Sequence, residues 1–160
     1  MDDSTLQAVS RIHEIFKERR LTLSVAESCT GGLVSHYITV LPGASAFFEA
    51  GVVTYSVEAK EGILGIPHEV ISAHGVVSEE TARSMAEAVR RLTGTACSVS
   101  TTGNLGPQVL EDKAAGLVYM AACAGERTIS REARFKGERW EVKKGAALAA
   151  LRLVLEAVSA

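Results

Sequence analysis

The run Leu21-Thr22-Leu23-Ser24-Val25-Ala26, leading directly into Glu27-Ser28-Cys29-Thr30-Gly31-Gly32, decides the fold. A short Leu/Thr/Val stretch bounded by a polar, glycine-rich turn reads as a buried strand, and the turn feeds a helix expected over residues 31–41, stopped by Pro42-Gly43. On its N-terminal side, Leu6, Val9, Ile12 and Phe16 recur at helical spacing. Asp3 and Ser4 are the capping candidates there, and Lys17, Arg19 and Arg20 close the helix. On the C-terminal side, Phe47 to Ser56, with Val52-Val53-Thr54-Tyr55, has a strand composition. Glu58 to Leu64 is a short helix closed by Gly65, and Pro67 begins a loop that carries His68 and His74. Ser78 caps a helix with Glu79 and Glu80 in its first turn and Ala82, Met85, Ala86, Val89 and Leu92 along one apolar face, ending at Gly94. Ala96 to Thr101 and Gly116 to Ala124 read as core strands, and Thr128 to Phe135 as an edge strand that pairs antiparallel. Glu138 to Val158 is the closing helix, with Trp140 packed near its start.

Strands alternating with helices imply an α/β fold: a three-layer α/β/α sandwich with a mostly parallel central sheet and an antiparallel edge strand. No repeat or linker interrupts residues 1–160, so a single domain is expected. With 160 residues, 47% of them hydrophobic, the chain can bury roughly 70% of its unfolded surface. Lysine plus arginine total 17 against 19 acidic residues, a net charge of −2. That balance gives no field for capturing nucleic acid or a membrane, and neither partner is expected. No apolar run reaches the ~18 residues of a membrane helix, and Met1-Asp2-Asp3 opens without signal-peptide features, so a cytoplasmic location is expected. Cys29, Cys97 and Cys123 are widely spaced, with no Cys-x-x-Cys and no His-x-x-x-His. Reduced thiols and no metal site follow.

In open α/β sheets the ligand crevice lies at the carboxyl ends of strands, which here are the turns after Ala26, Tyr55 and Thr101. The first offers Ser28, Cys29, Thr30 and free backbone N–H groups at Gly31-Gly32, suited to phosphate or carboxylate. A helix cap with close-packed glycines is the plainer reading, and Cys29 is either a nucleophile or an inert buried thiol. Ser45 precedes Lys60 across one strand, and a neutral lysine can activate a serine, with Tyr55 as a proton relay. A capped loop and a solvated lysine are the alternative. Ser100-Thr101-Thr102-Gly103-Asn104-Leu105-Gly106-Pro107 opens a glycine-punctuated loop. No histidine lies near a nucleophile in sequence. Arg139 stands beside Lys136, Lys143 and Lys144, a cluster that either holds a phosphate or forms a solvated helix end.

Three segments in order resemble one family: Ala26 to Gly32, Pro42-Gly43-Ala44-Ser45 with Gly51 to Lys60, and His74-Gly75-Val76-Val77-Ser78-Glu79-Glu80. Together with Thr102-Gly103 they resemble the CinA C-terminal domain from about residue 5 to 158. That family includes nicotinamide-nucleotide amidases, α/β/α domains that hydrolyse the carboxamide of nicotinamide mononucleotide to nicotinic acid mononucleotide and ammonia without a metal or other cofactor. The resemblance implies a small-molecule nucleotide substrate and a homo-oligomer. It also implies a stand-alone form, since 160 residues leave no room for the molybdopterin-binding-like domain of larger relatives. By position it makes Ser45 the nucleophile, Lys60 its base and Tyr55 the relay. Ser28, Thr30, Gly31, Thr102 and Gly103 line the substrate site, and Arg139 holds the phosphate.

The chain departs from the family in three places. Ala44 stands where a second serine is usual. Asn104 to Gly116 lacks the glycine pair and second proline of the family loop, and Lys143-Lys144 represents a basic pair near Arg139. An alternative therefore stays open: a nucleotide-binding or partner-interaction module with weak or no turnover because of the altered 103–116 loop. A thiol amidase using Cys29 is a third reading.

Overall fold

The computed structural model describes residues 1–159. Strand β1 (Leu23–Glu27) is buried along its whole length, Ser24 and Glu27 included, because it has a neighbour on each side. Those neighbours are β2 (Phe48–Val53) and β3 (Cys97–Gly103), both parallel to it. Strand β4 (Leu117–Ala124) runs antiparallel to β3, and β5 (Arg127–Arg134) antiparallel to β4, giving the order β2-β1-β3-β4-β5. Because β4 reverses direction and β5 reverses it again, every strand but β4 points the same way. The mostly parallel sheet with an antiparallel edge strand is what the sequence led us to expect.

Helices α1 (Asp3–Arg19), α2 (Leu33–Thr39) and α6 (Arg139–Ser159) cover one face of the sheet. Ile12, Phe16, Leu23, Val25, Ile38, Phe47 and Leu151 are fully buried in that layer. Each contributes about 1.5–3 kcal/mol by leaving water. Between β2 and α4 (His68–His74) lies the short helix α3 (Val57–Gly62); α4 and α5 (Glu79–Thr93) lie on the other face. Small residues let α5 approach closely: Ala82 and Ala86 pack on Ala121 and Cys123. The serines of β3 would be costly to bury alone. Ser98 Oγ donates to Ala86 O at 2.6 Å and Ser100 Oγ to Ala82 O at 2.5 Å, so both are satisfied.

Several local expectations are corrected. Asp2, rather than Asp3 or Ser4, caps α1 by accepting from the Thr5 N–H. Leu6 and Leu92 are exposed at the margins of their helical faces. Helix α2 begins at Leu33 because Gly31 and Gly32 take left-handed backbone conformations, with φ of 56° and 99°. Pro67 opens helix α4 and not a loop; its fixed φ suits a helix start, and with only Ile71 buried the helix has no apolar stripe to reveal it. Strand β3 runs two residues past Thr101, carrying Thr102 and Gly103 into the sheet. Trp140 is 58% exposed at the start of α6, its ring lying 4.0 Å from Lys144 Nζ. Among the described residues no helix is long and apolar enough to cross a membrane.

Candidate active site

The register pairs Glu27 with both Val53 and Thr101, so β1 and β2 end level with each other and β3 two residues further on. The turn 28–32, the β2–α3 turn and the irregular segment 104–116 therefore meet at one end of the sheet. They enclose a cavity of ≈ 320 Å³ whose lining includes Ser28, Cys29, Tyr55, Gly103, Leu105 and Arg139.

Lys60 is the unusual residue here. Ser56 caps α3 by accepting from the Ala59 N–H at 3.0 Å, which starts the helix immediately after β2 and turns Lys60 inward. Its side chain is 0% exposed. The ammonium nitrogen lies 2.8 Å from Ser28 Oγ, 2.8 Å from Thr54 O and 3.5 Å from Tyr55 O, with no carboxylate among these partners. Burial pushes its pKa down to about 8, and the nearby Cys29 opposes this only partly. The two carbonyls can only accept hydrogen bonds. In the neutral amine they take its two hydrogens and leave the lone pair for the Ser28 hydroxyl proton.

Ser28 is held by its own N–H, which donates to Thr101 O at 3.0 Å. The backbone N–H groups of Cys29 and Thr30 donate to no backbone carbonyl among the described residues. Beneath this turn lies Glu27, 0% exposed, which the sequence reading passed over. Its carboxylate accepts from Thr30 Oγ1 at 2.5 Å, from the N–H groups of Gly32, Val34 and Ser35 at 3.0, 3.0 and 2.9 Å, and from Ser35 Oγ at 2.8 Å. A glutamate closing an otherwise buried strand was the signal, since a buried carboxylate must be fully partnered.

The candidates from sequence divide sharply. Ser28, Tyr55, Lys60, Gly103 and Arg139 come together around the cavity or its floor. Ser45 does not. It sits exposed in a 3₁₀ turn (Ala44–Ala46) before β2, at the end of the sheet where Phe48 pairs with Leu23. The length of β2, about 20 Å at roughly 3.3 Å per residue, separates it from Lys60. The Ser45–Lys60 pair is thus not formed within the chain, because Ser45 precedes β2 and Lys60 follows it. Nor does the Tyr55 phenol reach Lys60: it accepts from Arg139 Nη2 at 2.9 Å, while Arg139 Nη1 donates to Gly106 O at 2.8 Å.

Thr30 and Thr102 are both 0% exposed and spent internally. Thr30 Oγ1 also lies 2.7 Å from Thr101 Oγ1, and Thr102 Oγ1 donates to Val76 O at 2.8 Å. Cys29 lines the cavity, but burial pushes its thiol up to about 12, against the lowering expected for a nucleophile. Gly31 is exposed, and a Cβ there would lie 3.3 Å from Lys143 Nζ. The basic cluster near Arg139 therefore splits, with Lys143 beside the 28–32 turn and Lys144 over Trp140.

A model of the CinA C-terminal domain family matches residues 5–158. The CinA-like protein of Syntrophus aciditrophicus is 45% identical over 155 residues, 96% of this chain and 36% of that protein. The CinA-like protein of Frankia casuarinae is 39% identical over 152 residues, 95% of this chain and 35% of that one. The chain spans about a third of the length of these relatives. Among solved structures, the competence/damage inducible protein CihA from Agrobacterium tumefaciens superposes with a TM-score of 0.95 at 31% identity, covering 99% of this chain and 98% of that one. A CinA superfamily protein from Escherichia coli superposes with a TM-score of 0.93 at 28% identity, covering 98% and 92%.

Proposed function

The chain belongs to the CinA C-terminal domain family, and from that premise we propose that it is a serine amidase acting on the carboxamide of nicotinamide mononucleotide, with Ser28 as nucleophile and Lys60 as base. The observation that carries this reading is the buried Lys60 amine on the Ser28 hydroxyl with no carboxylate to hold it charged. With a pKa of about 8, roughly a quarter of the molecules carry a neutral Lys60 at pH 7.5, against about one in a thousand for an ordinary lysine.

In the first step Ser28 Oγ bonds to the carboxamide carbon while its proton passes to Lys60 Nζ. The carbonyl electron pair moves onto oxygen, and the N–H groups of Cys29 and Thr30 are the donors available to hold that charge. The C–N bond then breaks, and ammonia departs with the proton held by Lys60. Water, deprotonated by Lys60, attacks the resulting ester. The ester C–O bond breaks, Ser28 Oγ recovers its proton from Lys60, and nicotinic acid mononucleotide leaves as the carboxylate, its acid proton passing through solvent to the released ammonia. Arg139 and Lys143 place positive charge near the mouth, which supports an anionic substrate.

Ammonia release from nicotinamide mononucleotide by the purified chain tests the reading, run beside thermal denaturation with and without the nucleotide. Steady release supports turnover. A rise in melting temperature without ammonia favours the nucleotide-binding module, since ligand at 100 times its Kd adds about 2.7 kcal/mol.

A further inference from the structure

The cavity wall built from residues 104–113 is fastened at many points. Asn104, 3% exposed, donates from Nδ2 to Leu110 O at 3.1 Å and Lys113 O at 3.2 Å, and accepts from the Leu110 N–H at 3.0 Å. The Glu111 carboxylate accepts from the Val76 and Val77 N–H groups. Lys113 Nζ donates to Val77 O and His74 O and lies 3.1 Å from Glu111 Oε2. These contacts tie the wall to the segment joining α4 and α5, while Arg139 ties its near end through Gly106 O. Glu111 and Asp112 both adopt left-handed backbone, with φ of 60° and 53°. Such conformations cost a non-glycine residue on the order of 1 kcal/mol each, so the clasp must offset them.

Between these anchorages Gln108, Val109 and Leu110 face the cavity, and Val109 and Leu110 keep 42% and 57% of their surface exposed. The wall therefore offers apolar area for an entering molecule to cover. We propose that Glu111 and Lys113 form a clasp that sets substrate specificity by fixing the Gln108–Leu110 wall against the part of the substrate remote from the carboxamide. This rests on the cavity being the substrate site. Neither clasp residue is hydrogen-bonded to Ser28 or Lys60, so both act as positioning residues, and their loss falls on KM rather than kcat.

The test measures ammonia release from nicotinamide mononucleotide and from nicotinamide for the wild type, Glu111→Gln, Lys113→Met and Lys113→Arg. Amide exchange at Val76, Val77 and Leu110 is followed in parallel. In Glu111→Gln and Lys113→Met the KM for the mononucleotide rises about tenfold with kcat within about twofold, and the preference for it over nicotinamide falls by a similar factor. Exchange at the three amides quickens about tenfold, and Lys113→Arg restores both readouts. The proposal is overturned if exchange quickens while KM stays at the wild-type value, or if kcat falls while KM holds. A wild type that releases no ammonia overturns the amidase reading by itself, and the clasp is then judged on the Kd for the mononucleotide. About tenfold weaker binding in Glu111→Gln supports the clasp, whereas equal binding, or none by the wild type, overturns it.

Discussion

Lys60 Nζ meets Ser28 Oγ at 2.8 Å across 32 residues of sequence, because the parallel pairing of β1 with β2 delivers the residue after one strand to the helix after the other. The same pairing sends Ser45 to the far end of β2. Ser28→Ala should therefore lower kcat/KM for ammonia release by about a thousandfold or more, the scale on which nucleophiles are lost. Ser45→Ala should stay within about threefold, as an exposed turn residue does. Parallel assays of the two variants decide it: an inactive Ser45→Ala beside an active Ser28→Ala would reverse the assignment.

The depressed Lys60 pKa gives two readouts of pH. A general base must be neutral, so kcat/KM should climb through about pH 8 and level above it. Stability follows the same titration. Between about 8 and the ordinary 10.5 the unfolded chain holds the lysine proton and the folded chain does not, so stability contributed by this group rises with pH across that window. Below about 8 both states carry the proton and burial of the charge opposes folding in full. Lys60→Met removes the titration but leaves the cysteines, so its stability advantage over wild type should shrink from pH 8 to 10.5 in denaturant titrations. A constant difference would return Lys60 to the ordinary lysine range.

Local sequence made the strands and long helices legible because each has one dominant pattern: β1 is a short Leu/Thr/Val stretch running into a polar, glycine-rich turn, and α5 has Ser78 before it and Gly94 after it. Helix α4 lacked any such pattern, since one buried isoleucine cannot mark a face. At the site, the residue types were legible and their partnerships were not. Ser28, Lys60 and Tyr55 were all identified, but pairing Ser45 with Lys60 needed the register of β2, a long-range property no local spacing encodes. The irregular loop after Gly103 was visible as a departure from the family. Its fastening by Asn104, Glu111 and Lys113 was not, because those bonds join segments more than thirty residues apart as well as neighbours.

Glu27 holds the turn that carries Ser28. Its Oε1 faces the Ser35 N–H and hydroxyl, and its Oε2 faces Thr30 Oγ1 and the N–H groups of Gly32 and Val34. In Glu27→Gln the side-chain NH₂ must point at one of those backbone N–H groups, leaving a buried donor unpaired. The expected loss is about 2–3 kcal/mol of unfolding free energy, measurable by urea titration, with activity falling as the turn loosens. A stability within about 0.5 kcal/mol of wild type would mean that the turn does not depend on the second acceptor oxygen of the carboxylate.

Thr54 presents the opposite case. Its carbonyl receives Lys60, yet its hydroxyl is the one buried side-chain oxygen without a partner among the described residues. A hydroxyl that has left water and found no acceptor opposes folding by about 1–3 kcal/mol. Thr54→Val replaces it with a methyl of nearly the same shape while leaving the main-chain contact to Lys60 in place. The melting temperature should therefore rise, by roughly 2–4 °C for each kcal/mol recovered in a domain of this size. A fall would mean that the hydroxyl finds a partner in solution, and calorimetry on the two proteins separates the outcomes.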